Sequence, residues 1–127
     1  MNDKPVFVIG EQHAGRDIFN IARDLNVTQN SPAEDILKII EAMQQKVGEL
    51  EITEKDKKKI VHQLDGAKIE LEEGDPNKKS IAEHITKTTE ILKEAKTTGE
   101  TLKDIGLLVG KAAAWLGMTA ANLGWIF

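Results

Sequence analysis

The last 23 residues, Ile105 to Phe127 (IGLLVGKAAAWLGMTAANLGWIF), carry a single charge, Lys111. Read at helical period, this stretch is apolar on nearly every side. Val109, Leu116 and Leu123 fall seven apart, as do Leu108 and Trp115, and Ile105, Ala112, Thr119 and Ile126 do the same. A helix that is apolar all round belongs at the centre of a bundle or in a membrane. Gly110, Gly117 and Gly124 also recur every seven residues, and Gly106 with Gly110 makes one GxxxG. Glycine inside a helix costs about 0.5–1 kcal/mol relative to alanine. A row of glycines on one helix therefore predicts a groove where a second backbone comes close.

Two expectations compete for the tail. Its length reaches the roughly 20 residues that a bilayer crossing requires, with Lys111 able to snorkel and Trp115 and Trp125 placed as belt residues. Against this, its glycines, alanines, Thr119 and Asn122 make it only moderately hydrophobic, and no basic cluster flanks it. A core or subunit-interface helix is the favoured reading. A membrane-inserting helix is the alternative.

Residues 1–30 differ in style from the rest. Pro5-Val6-Phe7-Val8-Ile9 is β-branched and aromatic, ends at Gly10 and reads as a strand. Beyond it, an Arg-Asp-apolar then Asn-apolar pattern occurs twice, in Arg16-Asp17-Ile18-Phe19-Asn20-Ile21 and in Arg23-Asp24-Leu25-Asn26-Val27. As strands, Ile18–Ile21 and Leu25–Thr28 are short extended pieces around a turn at residues 22–24. As a helix, Ile18, Ile21, Ala22 and Leu25 share an i, i+3, i+4, i+7 face. Periodicity leans to the helix, whereas the repeat and the β-leaning residues lean to strands.

The run IG…AGRDIFNIARDLNV resembles the glycine/aspartate/asparagine β segments that precede a small helical module in many bacterial proteins, some of them effector-associated adaptor domains of signalling or conflict systems. The motif covers residues 8–30. Arg16 and Ala22-Arg23 stand where the pattern has glycine. The resemblance implies strands in this region and an adaptor role for the whole chain. Strands this short are not stable alone, so they would pair with one another, with the bundle or with other copies.

Helix signals are clear from Ser31 onward. Ser31-Pro32-Ala33-Glu34 reads as a serine cap with proline at the first helical position, opening a helix to about Leu50. Its inward face is Ile36, Ile39, Ile40, Met43 and Val47. Thr53 followed by Asp56 opens a second helix, about 54–73, with Ile60, Leu64, Ala67 and Leu71 inward and Gly74 at its end. Asp75-Pro76 starts a third by cap-plus-proline logic, with Ile81, Ile85, Thr88, Ile91 or Leu92, and Ala95 inward. After Thr97-Thr98-Gly99 a fourth helix begins near Glu100 and runs into the apolar tail, with a bend at one of its glycines. The short connections predict antiparallel neighbours. The expected fold is mainly α: a β-rich segment over 1–30, then an antiparallel bundle of about four helices over 31–127, the last strongly apolar.

Composition and side-chain chemistry narrow the function. With 17 basic and 21 acidic residues the formal charge is −4, which disfavours nucleic-acid binding. There is no cysteine, hence no disulfide or thiolate chemistry. The first apolar run is too short for a signal peptide, so a cytoplasmic setting is expected, with membrane association if the tail inserts. His13, His62 and His84 show no metal-ligand spacing, and each reads as solvated or locally hydrogen-bonded. Arg16-Asp17 and Arg23-Asp24 read as structural ion pairs. Residues 10–15 lack the lysine and the glycine spacing of a phosphate loop. The lysines at 55 and 57–59 alternate with Glu51, Glu54 and Asp56 and read as a solvated face. No nucleophile–base set is visible, and no cofactor or metal is expected.

The sequence thus predicts a non-enzymatic homo-oligomerisation or adaptor module, with a protein partner and no nucleic acid. The alternative is a membrane-active helical protein that releases its C-terminal helix. The expected interface residues are Phe7, Ile18, Phe19, Ile21 and Leu25 near the N-terminus. In the tail they are Gly110, Trp115, Gly117, Leu123, Gly124, Trp125 and Phe127.

Overall fold

The structure is a computed structural model that describes residues 18–126. The order of elements is α1 (Ile18–Asp24), α2 (Ala33–Gly48), α3 (Glu54–Leu71), α4 (Lys78–Glu94), α5 (Glu100–Leu116) and a single 3₁₀ turn, Ala120–Leu123. The expected inward faces form as read. Ile36, Ile39, Ile40, Met43 and Val47 of α2 are fully buried, as are Ile60, Leu64 and Ala67 of α3 and Ile81, Ile85 and Leu92 of α4. Each set recurs at three and four residues, so one stripe of each helix leaves water.

Polar contacts at the helix ends fix the directions. Lys57, at the start of α3, donates to the carbonyl of Gly48 at the end of α2. Ser80, at the start of α4, meets Glu70 near the end of α3. Lys78, also in the first turn of α4, donates to the Trp115 carbonyl at the end of α5. Lys46, late in α2, pairs with Asp104, early in α5. Helices α2 to α5 are therefore an up-down-up-down bundle. Helix α1 lies along α2 and reaches α5.

Three expectations about local structure are corrected. Residues Ile18–Asp24 are helical, so the helical reading holds for this part of the repeat. Phe19 and Ala22, one turn apart, are both buried in the same core as α2–α5. That apolar pair against α2 gives the helix a reason to form. Leu25–Thr28 is irregular and joins no sheet. The Pro5–Ile9 strand, Phe7, His13 and Arg16-Asp17 lie outside the described residues.

The second correction concerns caps. Thr53 caps α3 as expected, accepting from the Asp56 amide. Ser31 does not cap α2: its hydroxyl accepts from the Thr28 amide and closes the preceding turn. In α4 the cap is Asn77, which accepts from the Ser80 amide, two residues after the expected Asp75.

The third correction is the largest, for the tail is not one helix. Helix α5 stops at Leu116 because Gly117 takes the left-handed conformation, φ +79°. The Met118 amide then reaches back to the Ala113 carbonyl, and the Gly117 amide to that of Ala114. This pair of bonds is the Schellman closure. It recurs seven residues later. Gly124, at φ +88°, follows the 3₁₀ turn, with Trp125 bonded to Ala120 and Gly124 to Ala121. The residues responsible are a repeat, Ala-Ala-Trp-Leu-Gly-Met at 113–118 and Ala-Ala-Asn-Leu-Gly-Trp at 120–125. Thr119 and Asn122 bracket the second copy in a reciprocal capping box. The chain is thereby turned back onto the bundle. Leu123 is buried, and the Trp125 ring lies across Gly106, where a methyl group would come within 2.7 Å of the indole nitrogen. Among the described residues no helix is long and apolar enough to cross a membrane.

Candidate interaction surface

Most of the expected interface residues are used within one copy. Trp115 is buried, and its indole N–H donates to the Ser31 carbonyl at 2.9 Å, tying the end of α5 to the start of α2. Leu123 is buried in the core. Gly117 and Gly124 are the two left-handed caps. Phe19 is buried beneath the Lys46 ammonium, which lies 4.4 Å from its ring centroid, within range of a cation–π attraction. Ile18 and Leu25 are half-buried against the core, whereas Ile21 is half-exposed outside that set. Phe127 lies outside the described residues. Gly110 and the half-buried Trp125 remain near the surface.

The Lys46 side chain is only 11% exposed, yet it holds its charge. Burial alone would favour the neutral amine. The hydrogen bond to Asp104, at 3.3 Å, and the Glu49 carboxylate, at 3.5 Å, outweigh it and raise the lysine above its ordinary pKa. On the α3–α4 seam, His84 bonds Gln63 at 2.9 Å, and its ring lies over Gly66, where a methyl group would come within 2.6 Å. His84 is thus a locally bonded spacer between two helices. The Arg23–Asp24 pair is real but exposed on both sides, so it contributes little.

Among the described residues no cluster of three metal-ligating side chains is present. One concavity lies between the α2–α3 and α4–α5 loops, lined by residues 49–51 and 95–101. A more apolar one is walled by Thr97, Leu102, Lys103 and Trp125.

The surface that stands out is the outer face of α5. Of the four exposed large apolar side chains among the described residues, Leu107 (45%), Met118 and Ile126 (68%) belong to α5 and the turns after it. Positions 103, 107, 110 and 114 make one stripe at i, i+4, i+7, i+11. Lys103, Leu107 and Ala114 are exposed along it, and a side chain at Gly110 would meet nothing within 4 Å. Two charged groups bordering this stripe are engaged with the bundle. Asp104 takes Lys46, and Lys111 donates to the Leu25 carbonyl at 2.6 Å. On the other border, Trp125 covers Gly106. The stripe from 107 to 114 is left neutral and outward-facing. Its key residue, Leu107, is absent from the expected interface because a stretch apolar on all sides gives no phase from which to choose an outer face.

Set against known protein families, curated proteins and solved structures, the chain matches none of them.

Proposed function

We propose that this chain is a non-enzymatic assembly module that presents the outer face of α5 to protein, a second copy of itself first of all. The observation that carries the reading is the stripe Leu107–Gly110–Ala114, outward and uncharged on a bundle whose other helices turn polar faces to water. Small residues at 110 and 114 let another backbone approach, and Leu107 supplies a projecting apolar group. Ile69 of α3 is barer still, at 62% exposure against 45% for Leu107. It stands beside Lys68 and Glu70 on a charged helix, and a single exposed apolar side chain is ordinary.

The length of α5 gives the bilayer alternative no support. Helix α5 has 17 residues, short of the roughly 20 a crossing needs, and beyond Gly117 both Leu123 and Trp125 pack on the bundle. The signalling or defence setting implied at residues 8–30 rests on that motif. Sedimentation equilibrium from micromolar to near-millimolar protein tests the proposal. The wild type should gain mass with concentration, and Leu107→Glu should stay at 14.0 kDa. A wild type that remains monomeric throughout overturns it.

A further inference from the structure

We infer that the second copy docks on α5 about a two-fold axis, with the two α5 helices antiparallel and each Leu107 seated over the partner's Gly110; this rests on the self-assembly reading above. The stripe is self-complementary in that sense only. A projecting leucine and an open glycine stand three residues apart. An axis passing between residues 108 and 109 brings 107 opposite 110 twice, the isologous pattern of a cyclic dimer. The same register sets Lys103 opposite the partner's Ala114.

Charge separates this pairing from the parallel one. The last turn of α5 contains no basic residue of its own, and the cation at its negative end is Lys78 of α4, on the Trp115 carbonyl. Antiparallel docking brings Lys103, 77% exposed and held only by Glu100 at 3.5 Å, beside that end of the partner helix. Parallel docking would set leucine on leucine, glycine on glycine and Lys103 on Lys103, with both dipoles aligned. It leaves the recess unfilled and sets like charges together. The inward commitment of Asp104 and Lys111 keeps the centre of the seam free of ionised groups that would have to be desolvated. A helix of 17 residues spans about 25 Å. One such contact falls below the roughly 800 Å² per partner of a standard interface, so the dimer is weak and exchanges rapidly.

The absence of cysteine makes the register directly readable. Lys103→Cys and Ala114→Cys are both at exposed positions. Full-length chains carrying one or the other, distinguishable by tag mass, are mixed and mildly oxidised, with folding checked by circular dichroism. The antiparallel register requires the mixed disulfide to dominate. Two copies of position 103 would be about 16 Å apart along the seam, eleven residues at 1.5 Å. That is beyond the 4.4–6.8 Å Cα separation a disulfide spans. Lys103→Cys linking to itself as readily as to Ala114→Cys overturns the inference in favour of parallel or random contact. No linkage in a sample that still sediments as a dimer overturns it as well, while leaving self-assembly intact through another face. No linkage together with a monomer at every concentration removes both.

Discussion

Gly117 holds φ at +79°, a conformation that costs an L-residue with a side chain roughly 1–2 kcal/mol. Gly117→Ala should therefore lower stability by about that amount, and thermal melts should show a fall of several degrees. An unchanged melting temperature would mean that α5 does not end there. Gly106 has a different duty. Its bare Cα makes room for the Trp125 indole, so Gly106→Val should displace that ring and shift tryptophan emission to the red with little loss of helix. Lys46 gives the pH test. Its folded pKa is raised, so its stabilising contribution is complete below the ordinary lysine value of about 10.4 and is lost as pH rises through the folded value. Unfolding by urea should show a loss of stability above about pH 10. Asp104→Asn should shrink that loss and cost about 1 kcal/mol at neutral pH. An alkaline limb of equal depth in the variant would show that the pair does not drive it.

At the level of elements, the caps separate what was legible from what was not. The apolar stripes of α2, α3 and α4 could be read directly, because polar residues between the apolar ones set the phase. Thr53 was equally plain. Ser31 misled because a serine before proline also closes turns, and here its hydroxyl serves Thr28. Asn77→Ala should thus cost about 1 kcal/mol of stability, and Ser31→Ala distinctly less. Chemical denaturation of the two variants should rank them in that order; the reverse ranking would restore Ser31 as the cap. Helix α1 was ambiguous because its 7 residues are too few to display a period, and its burial against α2 decided the outcome. The tail was misread for the opposite reason. With apolar residues at every phase, its seven-residue glycine spacing suggested one helix face, whereas it marks two successive Schellman closures. The repeat of Ala-Ala-x-Leu-Gly followed by a large apolar residue was the signal that could have shown this.

For the whole molecule, the two closures decide how much apolar surface is left over. Read as one helix, the tail is apolar on nearly every side, which predicts a core or subunit-interface helix. Trp115, Leu123 and part of Trp125 are consumed within one copy, leaving the narrower stripe at 107–114. The candidate surface is therefore smaller than the sequence implied and shifted to the outside of α5. Of the expected tail residues that the structure describes, Gly110 and Trp125 remain at or beside it. The most direct measurement is an amide NMR dilution series on the full chain. The account requires concentration-dependent shifts at Leu107, Gly110 and Ala114, with Trp115 and Leu123 unmoved. Shifts centred on α3 or α4, or no shifts up to near-millimolar protein, would contradict it.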